Sequence, residues 1–167
     1  MEILDGIYSR RSIRHFKDTP VKKDLLLEII KAGTWAPSGL NNQPWRFVVV
    51  TDRATLDELA GMTKYGRIIR EAPACICVLA DTQVMYHEIK DHQAIGACIQ
   101  NMLLAAHALG LGAVWLGEIL KSSKEVLVLL GLADTLDLMA VVALGPPSAP
   151  PRASSRRDVT EVIIREI

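Results

Sequence analysis

The sequence predicts an α+β domain, and three observations carry that reading. Apolar, β-branched runs at residues 45–50, 74–80 and 137–145 are short, bounded by Pro, Asp or Gly, and suit strands. Around them lie segments whose apolar residues recur at i, i+3, i+4 and i+7, the period of amphipathic helices. No Gly-x-Gly-x-x-Gly follows a strand and no Gly-x-x-x-x-Gly-Lys occurs. Any phosphate this chain binds must therefore be held by side chains rather than by a glycine-rich loop.

The elements follow in order. Ile3, Leu4, Ile7 and Tyr8 define a short N-terminal helix. After the turn at Thr19-Pro20, a helix from about Lys22 buries Leu25, Leu26, Ile29 and Ile30, with Gly33 near its end, and Pro37 stops it. A polar loop over residues 38–44 leads into the strand at Trp45. Residues 53–62 form a charged helix and residues 64–70 a shorter one before Pro73, and 74–80 is a buried strand. A long helix spans about 88–109. Its stripe Ile95, Cys98, Ile99, Met102, Leu103 and Ala106 faces the core. Its other face, with Ala94, Ala97, Leu104, Ala105 and Ala108, is also apolar, which suits either a dimer seam or a neighbouring helix of the same chain. Gly110 and Gly112 end it, and a short strand or turn follows at residues 113–117. Ser122, as N-cap with Glu125 three residues on, opens a small helix. The Pro-rich stretch 146–151 runs extended, and the alternating tail 159–167 is expected to add an edge strand, to this sheet or to that of a partner subunit.

At 167 residues the chain fits one domain, 1–167, long enough to bury roughly 70% of its unfolded surface. The 19 Lys+Arg balance 19 Asp+Glu, so no global field draws the molecule to nucleic acid. Half of the residues are hydrophobic, and that surplus predicts an oligomer. Cys75, Cys77 and Cys98 lack Cys-x-x-Cys spacing and lie in apolar segments, as reduced, buried thiols of a cytoplasmic protein do. Met1-Glu2-Ile3-Leu4-Asp5 has neither the basic start nor the apolar run of a secretion signal. Residues 94–117 contain no Asp, Glu, Lys or Arg, yet Gln100, Asn101, His107 and the Gly110-Leu111-Gly112 break argue against a membrane span.

Basic groups are concentrated locally. Arg10, Arg11 and Arg14, interleaved with Ser9 and Ser12, crowd the first tenth of the chain. Arg152, Arg156 and Arg157, with Ser154 and Ser155, repeat that chemistry near the other end. Arginine offers planar paired donors that match a phosphate, and termini of compact domains often lie close together, so the two clusters could meet on one anion. Hydrolytic and metal chemistry find little support. No Gly-x-Ser-x-Gly occurs, and His87 and His92 are five apart, on different faces of one helix.

Four segments in order resemble the nitroreductase family of flavoproteins: Arg10-Arg11-Ser12-Ile13-Arg14, the Pro37-Ser38 to Gln43-Pro44-Trp45 loop, Gly110-Leu111-Gly112 to Trp115, and the basic residues 152–157. The resemblance covers nearly the whole chain. It implies a mainly antiparallel central sheet flanked by helices, an intertwined homodimer, and FMN as cofactor with NAD(P)H as co-substrate. It also implies that Arg10 and Ser12 serve the phosphate and ribityl chain, joined by Arg156 with Arg152 or Arg157, that Arg11 shares the phosphate or braces the segment, and that Arg14 lies at the pyrimidine edge. Pro37, Ser38, Gly39, Asn41 and Gln43 would reach the flavin from the second subunit. Leu116 and Gly117 would lie along the N5 edge, with the Gly117 N–H as donor. Tyr65, Gly66 and Arg67 would be substrate-side or cofactor-edge groups, and Trp45 and Trp115 core. The reaction implied is ping-pong hydride transfer through flavin N5 to a nitroaromatic, quinone or similar electron-poor acceptor, for which the flavin, not a catalytic side chain, carries the chemistry. The alternatives are same-fold flavin chemistry of another kind, dehalogenation or flavin fragmentation, and a non-catalytic phosphate-binding dimer module. Ser154 departs from the family pattern by replacing its first basic C-terminal residue, and the chain is short for the family.

Overall fold

The computed structural model describes residues 2–151 and 153–167. A four-stranded, wholly antiparallel sheet in the order β1-β2-β4-β3 forms the middle layer, from β1 Trp45–Val50, β2 Ala74–Asp81, β3 Gly112–Leu116 and β4 Leu136–Gly145. β2 and β4 are central and almost entirely buried, so both their faces are apolar and no alternation is visible in their sequences.

Each face of the sheet supports its own core. On one side α2 (Lys23–Thr34) and α5 (Glu88–Ala108) cover Ile76, Val78, Ala80, Val142 and Leu144. α2 approaches α5 closely because Gly33 has no side chain: a Cβ there would stand 2.7 Å from Met102 Cγ. On the other side α3 (Arg53–Gly61), α4 (Gly66–Glu71) and α6 (Ser123–Leu129) cover Cys75, Cys77, Leu79, Val141 and Ala143. All three cysteines are buried free thiols. Among the described residues no helix is long and apolar enough to cross a membrane.

Several expectations need correction. The tail adds no strand to this chain's own sheet: α7 (Val159–Val162) is a short helix opened by Asp158, whose carboxylate accepts from the Thr160 N–H, and the residues after it join no strand of this chain. Ser122 makes no side-chain cap, because the tight turn Glu118–Ser122 already leads into α6. Trp45 is core, but Trp115 is 42% exposed on the outer strand of the sheet. On the second face of α5, Ala94 is buried and Ala97, Leu104 and Ala105 are half-buried, while Ala108 remains exposed, so this chain covers that face only in part.

Candidate functional site

Residues 10–17 leave α1 (Ile3–Ser9) and are stitched between two parts of the sheet. Ser12 bridges Ala113 in parallel, with the Ile13 N–H donating to the Ala113 carbonyl at 3.1 Å. Farther on, the Lys17 N–H donates to the Pro146 carbonyl and the Ser148 N–H to the His15 carbonyl. Phe16 anchors the segment in the core. Gly112 makes the close approach possible, since a Cβ there would lie 2.6 Å from Ile13 Cγ2.

This path half-buries Arg10. Its Nε and Nη1 are sealed from solvent and have no hydrogen-bond partner among the described residues. Burial pulls the Arg10 guanidinium below its ordinary value, and the charges of Arg156 and Arg11 add to the effect. The two ends of the chain therefore do converge. Arg11 turns back to the Tyr8 and Arg10 carbonyls at 2.6 and 2.9 Å, Arg14 makes one long contact to the Ser12 carbonyl at 3.5 Å, and Arg156 bonds the Ser155 carbonyl at 2.9 Å. Arg157 is exposed. Arg152 lies outside the described residues.

Two cavities flank the segment, sharing Ile13 and Ala149 to Pro151 as their partition. One, of about 530 Å³, is lined by Ser9, Arg10, Arg11 and His107. The Ser9 hydroxyl stands 2.8 Å from His107 Nε2 on the last turn of α5. The other, of about 300 Å³, is lined by Ser12, Arg14, His15, Lys64, Tyr65 and Arg67. Gly66 is turned into packing instead: a Cβ there would strike the Ala60 carbonyl.

Because residues 12–14 run parallel to β3, Arg14 heads toward the strand end where Leu116 and Gly117 stand. The Leu116 side chain is buried in the core. The Cβ position of Gly117 is open, with only Trp115 Nε1 at 4.0 Å. Glu118 ties this corner to the second cavity, its Oε2 accepting from the Thr63 hydroxyl at 2.6 Å and the Lys64 N–H at 3.0 Å.

The loop with Pro37, Ser38, Gly39, Asn41 and Gln43 sits elsewhere. Leu40, Asn41 and Gln43 all adopt φ near +50°, an unusual cluster of left-handed non-glycine residues. Ser38 Oγ accepts from the Gln43 N–H at 3.1 Å, and Gly39 gives room to the Tyr86 ring. Asn42 fastens the loop to Asp91 in the first turn of α5. Asp91 and His107 are sixteen residues apart on that helix, about 24 Å at its rise per residue. The chain thus brings Ser9, Arg10, Arg11 and Arg156 to one end of α5 and leaves the loop at the other.

The sequence profile of the Nitroreductase family matches residues 7–64 and 61–146. The chain belongs to the nitroreductase family. A candidate nitroreductase from Desulfovibrio desulfuricans, crystallised in complex with FMN, is 48% identical, with a TM-score of 0.95 over 100% of this chain and 98% of that one. An Archaeoglobus fulgidus protein, provisionally named NADH dehydrogenase/NAD(P)H nitroreductase, is 38% identical over 152 residues, 87% of this chain and 86% of its own. The NADPH:FMN oxidoreductase of Vibrio harveyi, solved with NAD+, is 28% identical, with a TM-score of 0.87 over 98% of this chain and 76% of that one.

In this nitroreductase-family chain, sequence reasoning missed the supports of the site. Asp91, Glu118 and His107 were passed over, although an acid in the first turn of a long helix is a signal that such a residue caps something.

Proposed function

We propose that this chain is an FMN-dependent NAD(P)H oxidoreductase that reduces nitroaromatics, quinones or similar electron-poor acceptors, and that it works as a cytoplasmic homodimer. The observation that carries the reading is Arg10. A guanidinium edge withheld from water and lacking a partner is costly unless an anion completes it, and a mononucleotide phosphate does so with paired charge-assisted hydrogen bonds. FMN held by these residues would supply the hydride-transfer chemistry between NAD(P)H and the acceptor.

In this reading the protein binds and orients. Arg10 and Arg156 neutralise the phosphate, with Arg11 and Arg157 strengthening the local field. Ser12 supplies a hydroxyl for the ribityl chain. Arg14, lightly held in the structure, is available to a pyrimidine edge and stabilises the negative charge that reduction places there. The Gly117 N–H, on backbone whose Cβ position is open, is the donor to the N5 edge.

Two subunits are needed because one chain cannot unite its own pieces. The strained loop and the Arg segment occupy opposite ends of α5. A second copy packed along the uncovered face of that helix brings its Pro37, Ser38, Gly39, Asn41 and Gln43 to the first copy's Arg10. The exposed tail, with Ile163, Ile164 and Ile167 in water, supplies further apolar surface for such a partner.

The test is the Arg10→Ala/Arg156→Ala double variant. Flavin content after purification should fall far below that of the wild type, with the fold retained by circular dichroism. Full flavin stoichiometry in the double variant would refute the phosphate assignment. Colourless wild-type protein that takes up no added FMN would refute the flavoprotein reading, and sedimentation as a monomer would refute the dimer.

A further inference from the structure

We infer that the 300 Å³ cavity beside Arg14 is a subsite for an anionic group, phosphate or carboxylate, of the substrate that exchanges electrons at this site; the inference rests on the oxidoreductase reading above. Three cations, Arg14, Lys64 and Arg67, line the cavity around Tyr65, over an apolar floor of Ile13 and Ile68.

The local charge does not cancel. Glu71 is the carboxylate these side chains meet, and both its oxygens are taken: Oε1 by Arg67 at 2.6 Å and Oε2 by His15 at 3.1 Å. Among the described residues neither Lys64 nor Arg14 has a carboxylate within ion-pair distance. A chain with no net charge has thus placed two uncompensated cations in one cavity. If Arg14 serves the cofactor, Lys64 remains, backed by Arg67, on the outer side.

The backbone that carries Lys64 and Arg67 is held in place. The Thr63 hydroxyl and Lys64 N–H are fastened to Glu118, and the Tyr65 N–H donates to the Thr63 hydroxyl at 3.2 Å. α4, which carries Arg67, starts at Gly66 in van der Waals contact with Ala60, where no side chain fits. Lys64 Nζ stands 5.2 Å from the half-exposed Tyr65 ring. A flat aromatic wall beside an ammonium suits a planar substrate bearing an acid. The volume admits a ring or a phosphate, not a whole dinucleotide, so recognition concerns one anionic group.

The two sources of that anion are a phosphate of the dinucleotide and a carboxylate on the acceptor. FMN-loaded wild type, Lys64→Gln and Arg67→Gln are compared with NADPH against NADH, and with 4-nitrobenzoate against nitrobenzene. Loss of the anion contact should lower the kcat/KM ratio of the charged over the uncharged member of one pair by about tenfold, mainly through KM. A fall in the NADPH/NADH ratio assigns the phosphate, and a fall in the nitrobenzoate/nitrobenzene ratio assigns the carboxylate. Lys64→Arg should restore the ratio. Calorimetric titration of the same proteins with adenosine 2′,5′-bisphosphate and with 4-nitrobenzoate gives a readout apart from turnover, one of the two weakening about tenfold. Lys64 is exposed, so its variant folds even if Arg67→Gln does not. Unchanged ratios and titrations in an active enzyme overturn the subsite alone. A flavin-loaded wild type that turns over none of these pairs overturns the oxidoreductase reading and the subsite with it.

Discussion

Asn42 Nδ2 donates to Asp91 Oδ1 at 2.7 Å, and this bond joins the left-handed loop to the first turn of α5. The other Asp91 oxygen accepts from the Tyr86 and His87 N–H groups, both at 2.9 Å. Burial by itself would raise the Asp91 carboxyl. The hydrogen bonds from His87, Asn42 and Tyr86 outweigh it and hold the group below its ordinary value of 3.8. Replacing Asp91 with Ala leaves three donors without their acceptor at a site closed to water, so thermal unfolding should show a loss of about 2–3 kcal/mol. Flavin content should fall in parallel, because the loop loses the contact that holds its conformation. A variant as stable and as yellow as the wild type would show that Asp91 supports nothing.

Gly112→Ala tests whether the Arg segment must lie flat on β3. The new Cβ would meet Ile13 Cγ2 at 2.6 Å and Ile13 Cβ at 2.7 Å, and a branched side chain on a stitched segment cannot swing aside. Overpacking of this kind costs about 1–3 kcal/mol and should push residues 10–14 off the strand, lowering flavin content. Gly131→Ala is the control. Gly131 has φ +64° with open space around it, so the substitution costs about 1–2 kcal/mol of backbone strain and leaves flavin content alone. Equal flavin loss in both variants would mean that general stability, not the position of Arg10, decides retention.

Glu118 gives the fold a measurable acid sensitivity. Hydrogen bonds from Lys121 and Thr63, with a smaller one from the Lys64 N–H, hold its carboxyl at about 2 against an ordinary 4.5. A depressed folded value means that its stabilisation is complete above about pH 4.5 and is lost as pH falls toward 2. The melting temperature of Glu118→Gln should therefore lie below that of the wild type at neutral pH and converge with it across that window. Parallel melting curves from pH 6 to 2.5 would remove Glu118 from the account.

The parts of this protein legible in its sequence are those set by local pattern. The stripe Ile95, Cys98, Ile99 and Met102 and the apolar run of β2 announce their elements because burial follows the helix and strand periods. The convergence of Arg10 and Arg156 was also visible, since chemically matched clusters stood at both ends of the chain. What escaped were contacts made to backbone groups, which the apolar periodicity does not mark. Asp91 reaches the N–H groups of Tyr86 and His87, and Glu118 reaches that of Lys64. The tail misled for a different reason. Val159, Ile163 and Ile164 have the composition of a strand, but Asp158 starts a helical turn and the residues beyond it pair with no strand of this chain. Trp115, read as core, stands half-exposed on β3, where the chain alone does not finish its cover.

Removal of Arg156 should act with opposite sign on the two forms of the protein. In flavin-stripped protein Arg10 is half-buried beside the like charges of Arg156 and Arg11, so Arg156→Ala relieves repulsion. Arg156 is exposed, which limits the gain to about 0.2–1 kcal/mol. With FMN bound, the proposed phosphate role predicts the reverse, because the same substitution takes a cation away from the ligand. A ligand at one hundred times its Kd stabilises by about 2.7 kcal/mol, and a tenfold weaker Kd at the same concentration forfeits about half of that. Differential scanning fluorimetry of stripped protein, with and without added FMN, therefore expects a melting temperature equal to or above wild type without ligand and a smaller upward shift with it. A stripped variant less stable than wild type that keeps the full FMN shift would mean that Arg156 braces the fold and does not touch the phosphate.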